Sequence, residues 1–222
     1  MCPRELTPEV LFEDQHLIVL AKPAGLLSQG ESTGDMNVVD WLRERFGRPY
    51  VGLVHRLDRN TSGAMVVAKR TKAANRLTEA LKKGELERTY LAWLVGKLAQ
   101  PVRWSHRLEK NEATNVVRVV RSGGKEAALT VKPVGQGQWE GLALTLAEFS
   151  LETGRSHQIR VQAAHEGLPL LGDTKYGMRQ GQAGLAFGRP ALHSHRISFP
   201  HPMSGELMSY EAPLPADMSS IV

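Results

Sequence analysis

The sequence has little of what supports several common classes of protein chemistry. Cys2 is the only cysteine, which excludes an intramolecular disulfide framework and a thiolate zinc cluster. No apolar run approaches the ~20 residues that a membrane-spanning helix needs. The N-terminal stretch MCPRELTPEV has no apolar segment of the kind found in secretory signals. We therefore expect a folded protein of the cytoplasm that does not enter a membrane.

Motifs that bind common cofactors are also missing. The chain contains neither the G-x-x-x-x-G-K-[ST] phosphate loop nor the G-x-G-x-x-G dinucleotide fingerprint, and H-E-x-x-H is absent. Eight histidines are present, but His193, His195 and His201 lie beside proline and phenylalanine in a strand-like context, which favours structural or surface roles over metal ligation. We predict no metal site and no organic cofactor.

Positive charge is modestly in excess and unevenly distributed. Lysine and arginine number 28 against 23 aspartate and glutamate residues, with a sequence pI near 9.5. The cations gather in KRTKAANR (69–76), LKKGELERTY (81–90) and GRSHQIR (154–160). A solvated surface would explain any one of these clusters, but their distribution fits a phosphate-bearing partner.

Strand-like patterns predominate, with helical patterns between them and no regular βαβ alternation. We predict strands over 10–13, 17–21, 50–55, 64–69, 89–96, 115–120, 127–134, 142–151 and 195–202. Helices are expected after a cap at Asp35, after a cap at Thr71, and over 156–167. The second helix is expected to bury Ala73, Leu77, Ala80 and Leu81 and to end just before Gly84. The strand over 142–151 rests on the alternation of Leu142, Leu144 and Leu146. Residues 177–190, rich in glycine, are expected to form a surface loop. The pattern predicts an α+β fold with a mixed, largely antiparallel sheet flanked by helices, in one catalytic domain over residues 1–222.

The stretch VHRLDRNTSG, residues 54–63, places one acid, Asp58, between Arg56 and Arg59. A turn aspartate that caps backbone N–H groups and pairs locally with an arginine would explain this acid. The functional alternative is a carboxylate held in its ionised form by the adjacent cations. Glycoside cleavage by two acids needs a second carboxylate within ~5–9.5 Å. No second acid accompanies Asp58 in the loop, so the functional hypothesis is that Asp58 acts alone, as a nucleophile or a base.

Four motifs follow one another along nearly the whole chain: EDQHLIVLAKPAGLL (13–27), HRLDRNTSG (55–63), ERTYLAWLVG (87–96) and LETGRSHQIRVQAAHEGLPLLGDTKYG (151–177). The second resembles the H-R-L-D-x-x-T-S-G signature of the RluA-type pseudouridine synthases, which isomerise uridine to pseudouridine in RNA. The others resemble that family's N-terminal strand pair with a Lys-Pro turn, its tyrosine motif, and its G-R-T-H-Q-I-R segment followed by Gly-Asp-x-x-Tyr-Gly. Ser156 and Gln162 replace a usual threonine and histidine.

The resemblance implies a pseudouridine synthase fold with a central catalytic cleft, and three catalytic residues. Asp58 would be the essential carboxylate, Arg160 would pair with it and keep it charged, and Tyr90 would stack on the uracil. Attack on the ribose anomeric carbon, attack on carbon 6 of the base, and proton abstraction from the ribose all remain open for Asp58. Without the resemblance, Tyr90 would be a core aromatic and Arg160 a surface arginine.

The resemblance also implies contacts with structured RNA, either transfer or ribosomal. A uridine inside such RNA has to be flipped out, and Arg56 is the candidate wedge, with an ion pair to Asp58 as the alternative. The residues expected to contact RNA are Arg56, Arg59, Lys69, Arg70, Lys72, Arg76, Arg155 and His157. The sequence starts directly at the predicted catalytic domain, without the S4-type RNA-binding domain of many relatives, so we expect differences in RNA affinity and substrate range.

The sequence therefore predicts an RNA pseudouridine synthase that is a monomer with no protein partner. Two other classes stay open. One is an RNA-binding or chaperone protein with lost catalysis, which an altered Asp58, Tyr90 or Arg160 would have favoured. The other is a hydrolase with Asp58 as its nucleophile, which the missing partner acid disfavours.

Overall fold

The computed structural model describes residues 6–31, 34–47, 49–177 and 184–221. Contacts between Cα atoms divide the chain into two compact units. Unit 1 comprises Met1–Arg88 and Ser194–Leu214, and unit 2 comprises Thr89–His193 and Pro215–Val222. The single catalytic domain expected over residues 1–222 stays a prediction.

Strands and helices follow the chain in an irregular order. The strands are β1 (Glu9–Glu13), β2 (Leu17–Lys22), β3 (Gly52–Leu53), β4 (Ser62–Ala68), β5 (Glu87–Val95), β6 (Val102–Asn111), β7 (Val116–Val120), β8 (Lys125–Trp139), β9 (Leu142–Leu151), β10 (Leu192–Pro200) and β11 (Leu207–Glu211). The helices are α1 (Val38–Phe46), α2 (Thr71–Lys83), α3 (Gln158–His165) and the short α4 (Ala216–Ser219), with a 3-10 turn at Leu185–Phe187.

Unit 1 is built on the strands β1, β2, β4, β10 and β11, in that order, with β3 paired to β4. The pairs β1–β2, β2–β4, β3–β4 and β10–β11 are antiparallel. β4 is buried along its whole length, and α2 packs on it through Ala73, Leu77 and Ala80. These three residues belong to the buried stripe that the spacing of α2 predicts, and the helix ends at Gly84 in the left-handed conformation, as expected.

The caps of both unit 1 helices differ from the prediction. α1 is capped by Asn37 and not by Asp35, because the Asn37 side chain accepts a hydrogen bond from the Asp40 backbone N–H and donates one to the Asp40 carboxylate. In α2, Thr71 is the first helical residue, and Arg70 occupies the cap position without a side-chain bond to the backbone. Two polar residues lie within two positions of each other at each of these starts, so local sequence alone did not determine the cap.

Unit 2 is built on an antiparallel sheet in the strand order β5, β9, β8, β6, β7. The predicted strand over 142–151 is confirmed at both ends by β9. β8 is longer than the predicted 127–134 because its register shifts between Pro133 and Gly135, so the ladder continues beyond the proline. The prediction missed β6, in which Trp104 and Leu108 are buried between polar residues that face solvent.

The boundaries of other elements also differ from the predicted ones. The strand expected over 50–55 is only Gly52–Leu53, because the chain then enters the loop that carries Asp58. The strand expected over 195–202 begins earlier and ends at Pro200. The loop expected over 177–190 lies partly outside the described residues. The antiparallel pairings of both units and the few interspersed helices confirm the predicted α+β class with a largely antiparallel sheet.

Candidate active site

Asp58 lies on an irregular loop of unit 1 that is attached to the rest of the unit through its main chain. Ser28 accepts a hydrogen bond from the Leu57 N–H at 3.1 Å and donates one to the Leu57 carbonyl at 2.6 Å. The Gly25 N–H donates to the Arg59 carbonyl at 2.8 Å. The Leu57 side chain is buried, Arg56 is exposed and Asp58 is half-buried. The loop is therefore anchored on both sides of the acid.

A buried cation reinforces this attachment. Lys22, only 1% exposed, donates from Nζ to the carbonyls of Leu26 at 2.7 Å, Pro23 at 3.0 Å and Arg59 at 3.0 Å. Three carbonyl acceptors match the three N–H donors of an ammonium group, which offsets part of the cost of burying its charge. The Lys22 ammonium group thus stabilises the turn that contains Lys22 and Pro23, and it also binds the loop just after Asp58.

His55 holds the beginning of the loop against β4. Its Nε2 accepts a hydrogen bond from the Val66 backbone N–H at 3.1 Å, which places the ring proton of the neutral form on Nδ1. The side chain is buried. Burial first, and the nearby positive charge of Arg88 second, lower the pKa of His55 to about 3. His55 is therefore a neutral structural acceptor at ordinary pH.

Close packing against Ser194 explains the glycine that ends the Thr-Ser-Gly stretch, residues 61–63. Gly63 has φ +115°, and a Cβ at this position would overlap the backbone carbonyl of Ser194. Thr61 and Ser62 are buried. The Thr61 N–H donates to the Asp58 carbonyl at 3.0 Å and closes the turn. The glycine lets β4 approach β10 closely, and the motif is in part a packing signature.

In unit 2, Arg160 lies on the first turns of α3 and forms a buried ion pair with Asp173. The Arg160 Nε donates to Asp173 Oδ2 at 2.7 Å, and Nη2 donates to Oδ1 at 2.8 Å. The Arg160 guanidinium carbon lies 5.1 Å from the ring centroid of Tyr176. Arg160 is therefore not the surface arginine that its sequence context alone would allow.

His157 precedes α3 in an unusual backbone conformation. Its φ is 52° and its ψ is 21°, in the left-handed region that few residues other than glycine adopt. Its Nδ1 lies 2.7 Å from the Tyr176 hydroxyl, which also accepts a hydrogen bond from the Val117 N–H at 2.9 Å. The helix predicted from residue 156 therefore starts only at Gln158, whose amide oxygen accepts a hydrogen bond from the Arg155 N–H.

Tyr90 lies in β5 opposite Phe149 of β9, and its side chain is largely buried. The prediction that it belongs to a strand is confirmed. Its role in stacking on a uracil stays a prediction.

The cations predicted to contact RNA differ in the hydrogen bonds and ion pairs that they already form within the protein. Arg59 donates to the Gly25 carbonyl and pairs with Asp35 at 2.8 Å. Lys69 pairs with Glu13 at 2.7 Å and donates to the Asp14 carbonyl. Arg76 donates to the Pro202 carbonyl, and Arg155 to the Glu126 carbonyl, and both side chains are otherwise exposed. Arg56, Arg70 and Lys72 are also exposed.

Sequence reasoning missed several residues that shape these two regions, namely Lys22, Ser28, His55, Asp173 and Tyr176. All five lie in or beside the four motifs, and that is the signal that could have singled them out. Their bonds connect positions up to 59 residues apart, which no local pattern reveals.

The part of the chain that the structure describes contains no group of three or more His, Cys, Asp or Glu side chains able to hold a metal ion. His201 instead donates from Nε2 to Asp14 at 2.9 Å, while its Nδ1 accepts from the Ser204 N–H. Within the same described residues, the helices are too short or too polar to span a bilayer.

Comparisons with known proteins agree with one another. Residues 16–165 match the family model described as RNA pseudouridylate synthase. A Xanthomonas campestris protein named ribosomal large subunit pseudouridine synthase D is 35% identical over 99% of this chain and 70% of its own length. An uncharacterized RNA pseudouridine synthase of Bacillus subtilis is 37% identical over 96% of this chain and 70% of its own.

A solved structure, human RNA pseudouridylate synthase domain containing 1, superposes with a TM-score of 0.80 at 25% identity. It covers 96% of this chain and 86% of the human one. The matched region holds the Asp58 loop, Tyr90 and Arg160. The chain therefore belongs to the RNA pseudouridylate synthase family and is an enzyme that isomerises uridine to pseudouridine in RNA.

Proposed function

We propose that this chain isomerises specific uridines in RNA of the large ribosomal subunit, with Asp58 as the essential carboxylate. The observation that carries the assignment of Asp58 is its loop, which is anchored on both sides of the acid through its main chain. The ribosomal substrate rests on relatives such as the Xanthomonas protein, whose name specifies the large subunit. Transfer RNA is the alternative structured substrate. Either substrate would place the protein in the cytoplasm.

The reaction neither adds nor removes atoms. The bond from uracil N1 to ribose C1′ breaks, a bond from uracil C5 to C1′ forms, C5 loses a proton and N1 gains one. The enzyme therefore has to retain the detached base, rotate it and rejoin it, and no redox cofactor is required. Asp58 can serve as a nucleophile toward C1′ or C6 of the base, or as a base toward the ribose.

The remaining site residues take supporting roles in this proposal. Arg160 supplies the positive charge that keeps Asp58 ionised, as the family resemblance implies. Tyr90 stacks on the uracil and retains it after detachment. Arg56, exposed on the loop beside Asp58, fills the space left by the flipped nucleotide.

The cations divide into two groups in this proposal. Arg70 and Lys72 are exposed near the start of α2, and Arg155 is exposed before α3, so these three contact phosphates directly. Arg59 and Lys69 already pair with Asp35 and Glu13 and contribute less, because RNA has to compete with an existing carboxylate.

Incubation with large-subunit ribosomal RNA and, separately, transfer RNA tests the proposal. New pseudouridines are mapped by a chemical label that distinguishes them from uridine, and free uracil is measured in parallel. We expect pseudouridine at defined positions of the ribosomal RNA, and none with Asp58→Asn. Asp40→Asn, in an exposed residue of α1, is the matched control and should retain turnover.

Three other outcomes would contradict parts of the proposal. Modification confined to transfer RNA would replace the substrate. Release of uracil without pseudouridine would indicate a hydrolase. Tight RNA binding without either product would indicate a binding protein.

A further inference from the structure

Two hydrogen bonds from Arg160 to Asp173 fix the orientation of the guanidinium group. The carboxylate accepts from Nε and from Nη2, so two parallel hydrogen bonds hold one edge of the planar group. The Asp173 side chain is 1% exposed and that of Arg160 is 10% exposed, so solvent barely weakens the pair. A guanidinium has five N–H donors. Asp173 uses two of them, and the other three point along directions that this pair determines.

Asp173 is itself held by the turn that follows it. Its Oδ1 also accepts from the backbone N–H groups of Lys175 at 3.1 Å and Tyr176 at 3.2 Å, and its own N–H donates to the Leu170 carbonyl. The same turn places the Tyr176 ring against the Arg160 guanidinium. A carboxylate at one edge and an aromatic face beside the plane together restrict both rotation and tilt of the group.

We propose that Asp173 and the Tyr176 ring are positioning residues for the reaction, acting through Arg160. This inference rests on the proposed role of Arg160 as the positive charge that serves Asp58. Charge stabilisation of this kind depends on donors that are already oriented before the reaction, and a displacement of about 1 Å can cost about 100-fold in rate. Asp173 and Tyr176 touch neither substrate nor reacting atoms in this proposal.

The decisive experiment combines Asp173→Asn with Arg160→Gln. Asp173→Asn should lower kcat by roughly 100-fold, while KM for RNA changes by less than about threefold, because the interaction acts on the transition state and not on RNA binding. Arg160→Gln should be at least as damaging. In the double variant, Asp173→Asn should add no further loss of kcat, because its effect passes through a side chain that is already absent.

A matched control exists in the same unit. Arg189 donates from Nε and Nη2 to Asp217 at 2.6 and 2.9 Å, the same two-bond geometry as in the Arg160 pair. Asp217→Asn should leave kcat unchanged. A fully active Asp173→Asn variant, or losses that multiply in the double variant, would overturn the inference.

Loss of folding in Asp173→Asn is checked by thermal unfolding, and Tyr176 provides an independent series. Tyr176→Phe keeps the ring beside Arg160 and should keep kcat within about twofold. Tyr176→Leu removes the ring and should lower kcat by about tenfold. Equal kcat values for the two variants would contradict the role of the ring.

The failures are distinguishable. A wild-type chain that forms no pseudouridine overturns the proposed function and this inference together. An active Arg160→Gln variant overturns the role of Arg160 and the positioning role with it. An active wild type with inactive Arg160→Gln and fully active Asp173→Asn overturns the positioning role alone.

Discussion

The loop that carries Asp58 and the helix that carries Arg160 are positioned by opposite kinds of interaction. In unit 1, Ser28 and Lys22 bind the main chain of the loop, and the loop side chains take no part in these bonds. In unit 2, a charged side chain, Asp173, and an aromatic ring hold Arg160 directly. The Asp58 side chain can therefore be exchanged without loss of these main-chain bonds, whereas Arg160 depends on each of its side-chain partners.

The largest expected effect separates activity from stability in the loop. Asp58→Asn should lower turnover by at least about 10³-fold, since a nucleophile or base acts mainly in the transition state. The free energy of unfolding should change by less than about 1 kcal/mol, because the amide is isosteric and the main-chain anchors remain. Turnover and urea unfolding of the same preparation check both values. Substantial turnover would remove Asp58 from the mechanism.

Acid should weaken the Asp58 loop through His55. Folding lowers the pKa of His55 from its usual 6.5 to about 3. Between these values the unfolded chain binds a proton that the folded chain does not, so the stabilisation present above pH 6.5 is lost as pH falls. We expect about 2 kcal/mol of stability from this residue to disappear between pH 6.5 and pH 5.

Urea unfolding at the two pH values measures this loss. His55→Gln, which retains an acceptor for the Val66 N–H, should lack most of the pH dependence of the wild-type chain. An equal slope in both proteins would show that other groups cause the acid sensitivity.

Removal of one main-chain anchor should have a smaller effect. Ser28→Ala deletes the hydroxyl that bonds both backbone groups of Leu57, and these groups are left unpaired in a buried place. We expect a loss of about 1–2 kcal/mol in stability, together with a several-fold fall in turnover. Unchanged turnover alongside the stability loss would show that the other anchors are enough to hold Asp58.

The smallest effect concerns Arg56 and depends on the RNA. If Arg56 fills the gap left by a flipped uridine, Arg56→Ala should slow modification of a structured stem-loop by about three- to tenfold, a part of the few kcal/mol that flipping costs. A relaxed strand of the same sequence should be affected much less. Equal slowing of both RNAs would identify Arg56 as an electrostatic partner of the site and not as a wedge.

Local patterns predicted a large part of this protein from the sequence. The alternation of Leu142, Leu144 and Leu146 predicted β9 to the residue, and the apolar spacing of α2 predicted its buried face. Patterns failed where packing against distant strands determines the structure. β6 was missed because His106 interrupts the apolar alternation between Trp104 and Leu108, and the strand before Asp58 was overextended because its ladder ends after two residues.

The sequence by itself determined which residues could carry the chemistry, because the motifs around Asp58, Tyr90 and Arg160 occur in order along one chain. Only the tertiary structure decided how the residues beside them are used. Lys22 anchors a loop 37 residues away, and Lys69 pairs with Glu13 across a separation of 56 residues. The physical reason is that a buried charge has to find donors or acceptors in space, and the folded chain alone determines which groups lie within reach.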